Sequence, residues 1–166
     1  MTLLDAEKAL GSMPMPVTLI TSSWEDKDNV MTASWVVPSS KMPPLVSIFL
    51  NRTHLTREYI FHSREFVVNV LATDQVEISE ICGTISGRET DKYAKADLKT
   101  RRGDKVSVPL IAGCLANLEC KVVADYEVGD HTLFVGEIVA AHQGDQSEPL
   151  ARFDGKYADI LLKPSS

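Results

Sequence analysis

Residues 16–50, PVTLITSSWEDKDNVMTASWVVPSSKMPPLVSIFL, decide how this chain folds. Pro16 to Trp24 is rich in Val, Thr and Ile, which fit a pleated surface, and predicts a strand. Asp26, Lys27, Asp28 and Asn29 form a polar turn, and Val30 to Val37 predicts the returning strand. Pro38 to Pro44 holds three prolines and two serines. Proline donates no ladder hydrogen bond, so this stretch predicts a loop. Leu45 to Leu50 predicts a third strand.

Working outward, Leu3 to Leu10 predicts a lead-in helix ended by Gly11 and the Pro14/Pro16 pair. On the other side, Thr56 predicts the cap of a short helix running through His62. Glu65 to Leu71 predicts a fourth strand with Phe66, Val68 and Val70 on one face. A helix from Asp74 to about Cys82 has Glu77 in capping-box spacing. Gly83 to Val108 is polar and reads as a long surface excursion, a length that in a compact domain is usually functional. Asn117 to Tyr126 and His131 to Ala141 predict two long strands joined at Gly129 and Asp130. Gly155 to Leu162 closes the chain, with a frayed Lys163 to Ser166. At least six strands, with too few helices for βαβ alternation, predict a barrel in one domain spanning residues 1–166.

The 166 residues carry a net charge of −6, with 44% hydrophobic and 24% charged residues. That balance belongs to a globular protein and offers no basic stripe for nucleic acid. No stretch approaches the ~18 apolar residues of a membrane helix, and the first residues lack the features of a signal peptide. Cys82, Cys114 and Cys120 show no CxxC spacing. Reduced thiols and a cytoplasmic location are therefore expected, with no metal. The dinucleotide GxGxxG, the P-loop, GxSxG and HExxH are all absent, so a cofactor needs another device.

Two segments suggest one. In NVMTASW (29–35), Thr32, Ala33 and Ser34 put small side chains on both faces of a strand, where a flat ring can lie close to the backbone. An ordinary strand with Ser and Thr facing water has the same composition. In NRTHLT (51–56), Arg52 offers a forked cation and Thr53 and Thr56 offer hydroxyls beside helix-start amides, which suits a phosphate. A solvated turn with a capping threonine fits those residues too.

The ordered set PMPVTLITS, NVMTASW, PSSKMPPLVSIFLNRTHLT, REFVVNVL, ICGTISGRETDKY and GDHTLFVGEI closely resembles the flavin reductase-like family of FMN-binding split barrels, in particular its flavoredoxin-like branch. The resemblance covers nearly the whole chain. It implies a six-stranded Greek-key split β-barrel with a few flanking short helices, working as a homodimer. It also implies FMN as cofactor and NADH or NADPH as electron donor. Thr32, Ala33, Ser34 and Trp35 would line the ring edge, and Asn29 would shape the turn beside it. Asn51, Arg52, Thr53 and Thr56 would grip the phosphate, and Lys92 would add a phosphate or flavin contact. His131, in the GDH triplet, would meet the reactive face as the catalytic residue, its ordinary pKa near neutrality suiting proton movement. His54, His62 and His142 show no ligand spacing.

The activity implied is hydride transfer from NAD(P)H to flavin, with electrons passing to a monooxygenase or other acceptor. A non-catalytic FMN-binding electron carrier reduced by a partner protein is the alternative. A protein binding some other phosphorylated ligand leaves the small-residue strand unexplained.

Overall fold

Successive side chains of a β-strand leave on opposite faces. In this chain the central strands are buried on both faces, over Thr18 to Ser22 and Phe66 to Asn69, so one large sheet carries a core on each side. The computed structural model describes residues 3–145 and 148–160, so the predicted tail of Lys163 to Ser166 lies outside the described residues. In chain order the elements are α1 (Ala6–Leu10), β1 (Met15–Pro16), β2 (Thr18–Trp24), β3 (Lys27–Ala33), β4 (Val36–Lys41), β5 (Pro44–Asn51), α2 (Leu55–Ser63) and β6 (Glu65–Val70). A 3-10 turn (Thr73–Gln75) leads into α3 (Val76–Thr84) and α4 (Lys92–Lys95). There follow β7 (Thr100–Arg102), β8 (Pro109–Ile111), β9 (Ala116–Val128), β10 (His131–Gln143), β11 (Leu150–Phe153) and β12 (Lys156–Asp159).

Seven strands form an antiparallel sheet in the order β3-β2-β6-β9-β10-β5-β4. The predicted six-stranded barrel is corrected to this seven-stranded sheet. The extra strand is β4, drawn from the Pro-rich stretch expected to be a loop. It lies at the sheet edge and, among the described residues, pairs with β5 alone. An edge position tolerates Pro38 because no neighbour needs its missing donor. The expected strand over Val30 to Val37 is likewise divided, with Ser34 and Trp35 between β3 and β4.

Ile20, Ala33, Val46, Ile48, Leu50, Ile60, Phe66, Val68, Cys120 and Phe134 form one buried cluster, with Val36 packed against it. Strands from both ends of the sheet contribute, so the sheet curls around this core. The opposite faces of β2 and β3 supply Leu19 and Val30 to a second cluster with Leu71, Cys82, Ile111 and Leu150. That packing seats α3 against β3.

Two predicted caps are corrected. The residue capping α2 is His54, and Thr56 lies buried inside the helix. Asp74 starts nothing; the Gln75 side chain instead accepts the Ala72 N–H at 2.9 Å. The predicted excursion is tied down by Glu119 of β9, which is fully buried. Its carboxylate accepts the backbone N–H groups of Asp104, Lys105 and Val106 at 2.7–3.0 Å, and one oxygen lies 2.6 Å from His142 Nε2. Asp104, Glu119 and His142 thus cluster within ligand distance of one another, but both Glu119 oxygens are already engaged. The three cysteines are free and buried, as expected of reduced thiols.

Burial pushes the Glu119 carboxyl up, but the hydrogen bonds from Asp104, His142, Lys105 and Val106 outweigh it and hold it down at about 2. A folded value below the unfolded one of about 4.3 means the stabilisation is complete above that pH and is lost as pH falls toward 2. Glu119→Gln should therefore cost about 3 kcal/mol at pH 7. Urea unfolding at pH 7 and pH 3 checks this, since the gap to wild type should narrow at the lower pH.

Candidate functional site

The small-residue segment at the end of β3 opens onto a cleft of about 810 Å³. It is lined by Thr32, Ala33, Ser34, Trp35, Asn51, His54, Gly83 and His131, among others. Thr32 Oγ1 donates to the Ser79 carbonyl at 2.6 Å, so its hydroxyl fixes α3 to β3. Gly83 of α3 lies close by; a Cβ there would come 3.2 Å from Thr32 Cβ. Close approach of α3 to β3 thus rests on a residue without a side chain.

At the far rim, His131 begins β10 and sits opposite Asn51 in the β5–β10 register. Its Nδ1 is 2.6 Å from Asp130 Oδ1, and its ring stacks on Trp35 with centroids 4.7 Å apart. The hydrogen bond with His131 holds the Asp130 carboxyl below the usual carboxylate range. An ionised Asp130 only accepts, so the shared proton sits on Nδ1, and Nε2 is left for exchange. Trp24 stacks on His62 at 4.8 Å.

A second, narrower cleft of about 280 Å³ shares Thr32, His54, Gly83 and Thr84 with the first. It continues past Asn29, Thr53, Thr56, Ser86, Gly87, Arg88 and Lys92. Asn29 Nδ2 donates to Thr56 Oγ1 at 2.7 Å, and Asn51 Oδ1 accepts from Thr53 N–H and Oγ1–H at 3.0 and 2.8 Å. Lys92, within the stretch expected to run over the surface, is only 5% exposed. Its Nζ donates to the Cys82 carbonyl at 3.1 Å, and no carboxylate pairs with it among the described residues. Burial lowers the Lys92 pKa and raises that of Cys82 to about 11.

Ten of the eleven sequence-derived candidates line these two connected clefts: Asn29, Thr32, Ala33, Ser34, Trp35, Asn51, Thr53, Thr56, Lys92 and His131. Arg52 does not. Its guanidinium donates to the Gly129 carbonyl and lies 3.6 Å from Glu127, while Arg57 bonds Glu127 and Thr132. Both arginines brace the hairpin that carries His131. Among the lining residues that were missed are two with charge or titratable chemistry beside the narrow cleft, Arg88 and His54. Arg88 sits in the quoted SGRETDKY run and pairs with Glu58 at 2.6 Å. His54 sits in NRTHLT, and burial, then His131 and Lys92, lower its pKa.

Residues 10–161 match the family model for the flavin reductase like domain. The chain belongs to that family. The flavin reductase-like chain is 33% identical over 165 residues to an NADH-dependent flavin reductase of a Rhodococcus species, covering 97% of this chain and 88% of that one. It is 31% identical over 152 residues to the reductase component of a 4-nitrophenol 4-monooxygenase/4-nitrocatechol 2-monooxygenase from Rhodococcus opacus, covering 92% and 78%. The flavoredoxin of Methanosarcina acetivorans superposes with a TM-score of 0.85 at 30% identity, covering 92% of this chain and 88% of that one.

The SGR turn is held close to β3. A Cβ on Gly87 would fall 2.0 Å from Asn29 Oδ1, forcing Asn29 off Thr56. Gly87→Ala should lower stability by about 1–3 kcal/mol. Thermal unfolding checks it, and an unshifted midpoint would show that the Asn29–Thr56 bridge yields freely.

Proposed function

We propose that this chain is a flavin reductase that binds FMN across the two clefts, oxidises NADH or NADPH, and passes electrons to a further acceptor such as a monooxygenase component. The observation that carries the reading is the continuity of the clefts. An open slot walled by small residues of β3 runs into a narrow pocket whose buried cation, Lys92, has no counter-ion among the described residues. A flat ring suits the first and a phosphate the second. The donor set therefore fits a flavin mononucleotide. When bound, the flavin supplies the redox chemistry by accepting hydride from a reduced nicotinamide.

The chain's own residues then bind and orient. Thr32, Ala33, Ser34 and Trp35 form the wall along the ring edge. Lys92, with Arg88 and Thr53, takes the phosphate, while Asn29 and Thr56 hold each other and Asn51 orders Thr53. Arg52 serves at one remove, by pinning the hairpin. His131 keeps its Nδ1 proton on Asp130 and offers Nε2 to the incoming nucleotide or to a proton. A homodimer belongs to this reading, supported by exposed Val37 and Met42 on β4 and its following turn and by Val123, Tyr126 and Val128 on β9. Buried, unpaired cysteines support a reducing cytoplasmic setting.

The likeness to flavoredoxin favours a second reading, an FMN electron carrier reduced by a partner protein. An absorption spectrum of the purified protein, followed by NADH or NADPH without oxygen, separates the two. Prompt bleaching of a yellow protein is expected; a bound flavin that stays oxidised with both nucleotides favours the carrier.

The phosphate assignment has its own test. Lys92→Met should weaken FMN binding by roughly 10- to 100-fold while riboflavin, which lacks the phosphate, changes little. Arg52→Ala should leave the FMN-to-riboflavin ratio near wild type. Titration of each flavin into the apoprotein measures both, and equal losses of the two flavins in Lys92→Met would remove Lys92 from the phosphate site.

A further inference from the structure

The two clefts are closed by different means. The larger is bounded on its outer side by the small sheet β1-β11-β12, from which Met15, Arg152 and Tyr157 line it. The narrow one lies between the start of α2, with Leu55 and Thr56, and the turn from Ser86 to Arg88. That turn is well fixed. The Ser86 carbonyl accepts the N–H groups of Glu89 and Thr90 at 3.1 and 3.2 Å, and Ser86 Oγ accepts the Arg88 N–H at 3.2 Å. Gly87 lies so close to both walls that a Cβ would collide with Asn29 and touch Leu55.

One ion pair joins these walls. Arg88 Nη2 donates to Glu58 Oε2 at 2.6 Å, tying the turn to the first turn of α2. Arg88 lines the narrow cleft, whereas Glu58 does not, and among the described residues no carboxylate lines it. Glu58 therefore holds the guanidinium without entering the space an anion would fill. A guanidinium carries five N–H donors in a fixed plane. Arg88 Nε and Nη1 have no protein partner among the described residues, so the fork can grip Glu58 and a second anion at once. Both partners are about half exposed, and such a pair adds little to stability by itself. Its larger effect is on order. A long side chain with many rotamers is held between the walls before an anion arrives, which removes that cost from binding.

We propose that Glu58 is a positioning residue for the flavin phosphate, holding Arg88 as a strap across the narrow cleft and so setting how long a bound flavin stays. The proposal rests on the reading that the phosphate occupies this cleft. Glu58 acts only through Arg88. The phosphate then meets the buried Lys92 on one side and a pre-ordered guanidinium on the other. The negative charge of Glu58 opposes the phosphate at longer range, but its direct bond to Arg88 offsets that charge and leaves orientation the stronger effect.

Release of FMN and of riboflavin from the loaded protein, followed after dilution by the recovery of flavin fluorescence, tests the strap. From Glu58→Gln, FMN should leave about three- to fivefold faster than from wild type, while riboflavin leaves at the wild-type rate. Arg88→Met should speed FMN release at least as much. Adding Glu58→Gln to Arg88→Met should change nothing further, because the two residues act as one unit. FMN release from Glu58→Gln at the wild-type rate overturns the strap, and slower release overturns it by making Glu58 a competitor of the phosphate. Equal acceleration of both flavins also overturns it, since the pair then only supports the walls. Lys92→Met separates this proposal from the one beneath it. If Lys92→Met weakens FMN against riboflavin and Glu58→Gln does not, the strap alone falls; if neither does, the phosphate reading falls with it.

Discussion

The register of β10 against β5, with His131 facing Asn51, is the constraint on which the rest of the site depends. A slip of one residue would send every side chain of β10 to the other face, taking His131 from the cleft and Phe134 from the core. Several local bonds converge on that register. The Arg52 N–H donates to the Asp130 carbonyl, its guanidinium holds Gly129, and Arg57 ties Thr132 to Glu127. Asn51 closes the turn into α2 by accepting from Thr53. The strand end that presents the histidine is thus also the point from which the helix over the narrow cleft departs.

Buried charge is handled in two opposite ways. Glu119 has its lone pairs filled by three backbone donors and a histidine, so its ionised form is cheaper inside than in water, and it serves to hold a long connection in place. Among the described residues, Lys92 has one carbonyl and no acid. An ammonium left so poorly solvated weakens its own charged state, and an anion brought beside it restores what burial removed. The contrast between a satisfied carboxylate and an unsatisfied ammonium separates architecture from recognition in this molecule.

Much of this was legible in the sequence. The ends of β2, β5, β6 and the β9–β10 hairpin followed from β-branched and aromatic runs and from the Gly129–Asp130 turn. Ten of eleven candidate residues lie along the connected clefts because their motifs sit at strand and helix ends, where local order fixes position. What escaped depended on distant partners. β4 exists because β5 offers an edge, which a run of prolines does not announce. Arg52 stands beside the threonines in sequence, but Gly129, 77 residues away, claims its guanidinium. The burial of Lys92 was not legible, because no pattern within SGRETDKY reveals the packing of α4 against α3 and β3.

The small sheet β1-β11-β12 has a consequence for how the molecule moves. Its strands are two to four residues long, and its halves come from opposite parts of the chain. Such a unit forms late, after the entropy of closing a long loop has been met, and it frays at a lower free energy than the seven-stranded sheet beside it. Its amides should exchange with solvent sooner than those of β6 or β10. The outer wall of the larger cleft is therefore its most easily opened side, and entry and exit of anything bound there become coupled to the breathing of a few terminal hydrogen bonds.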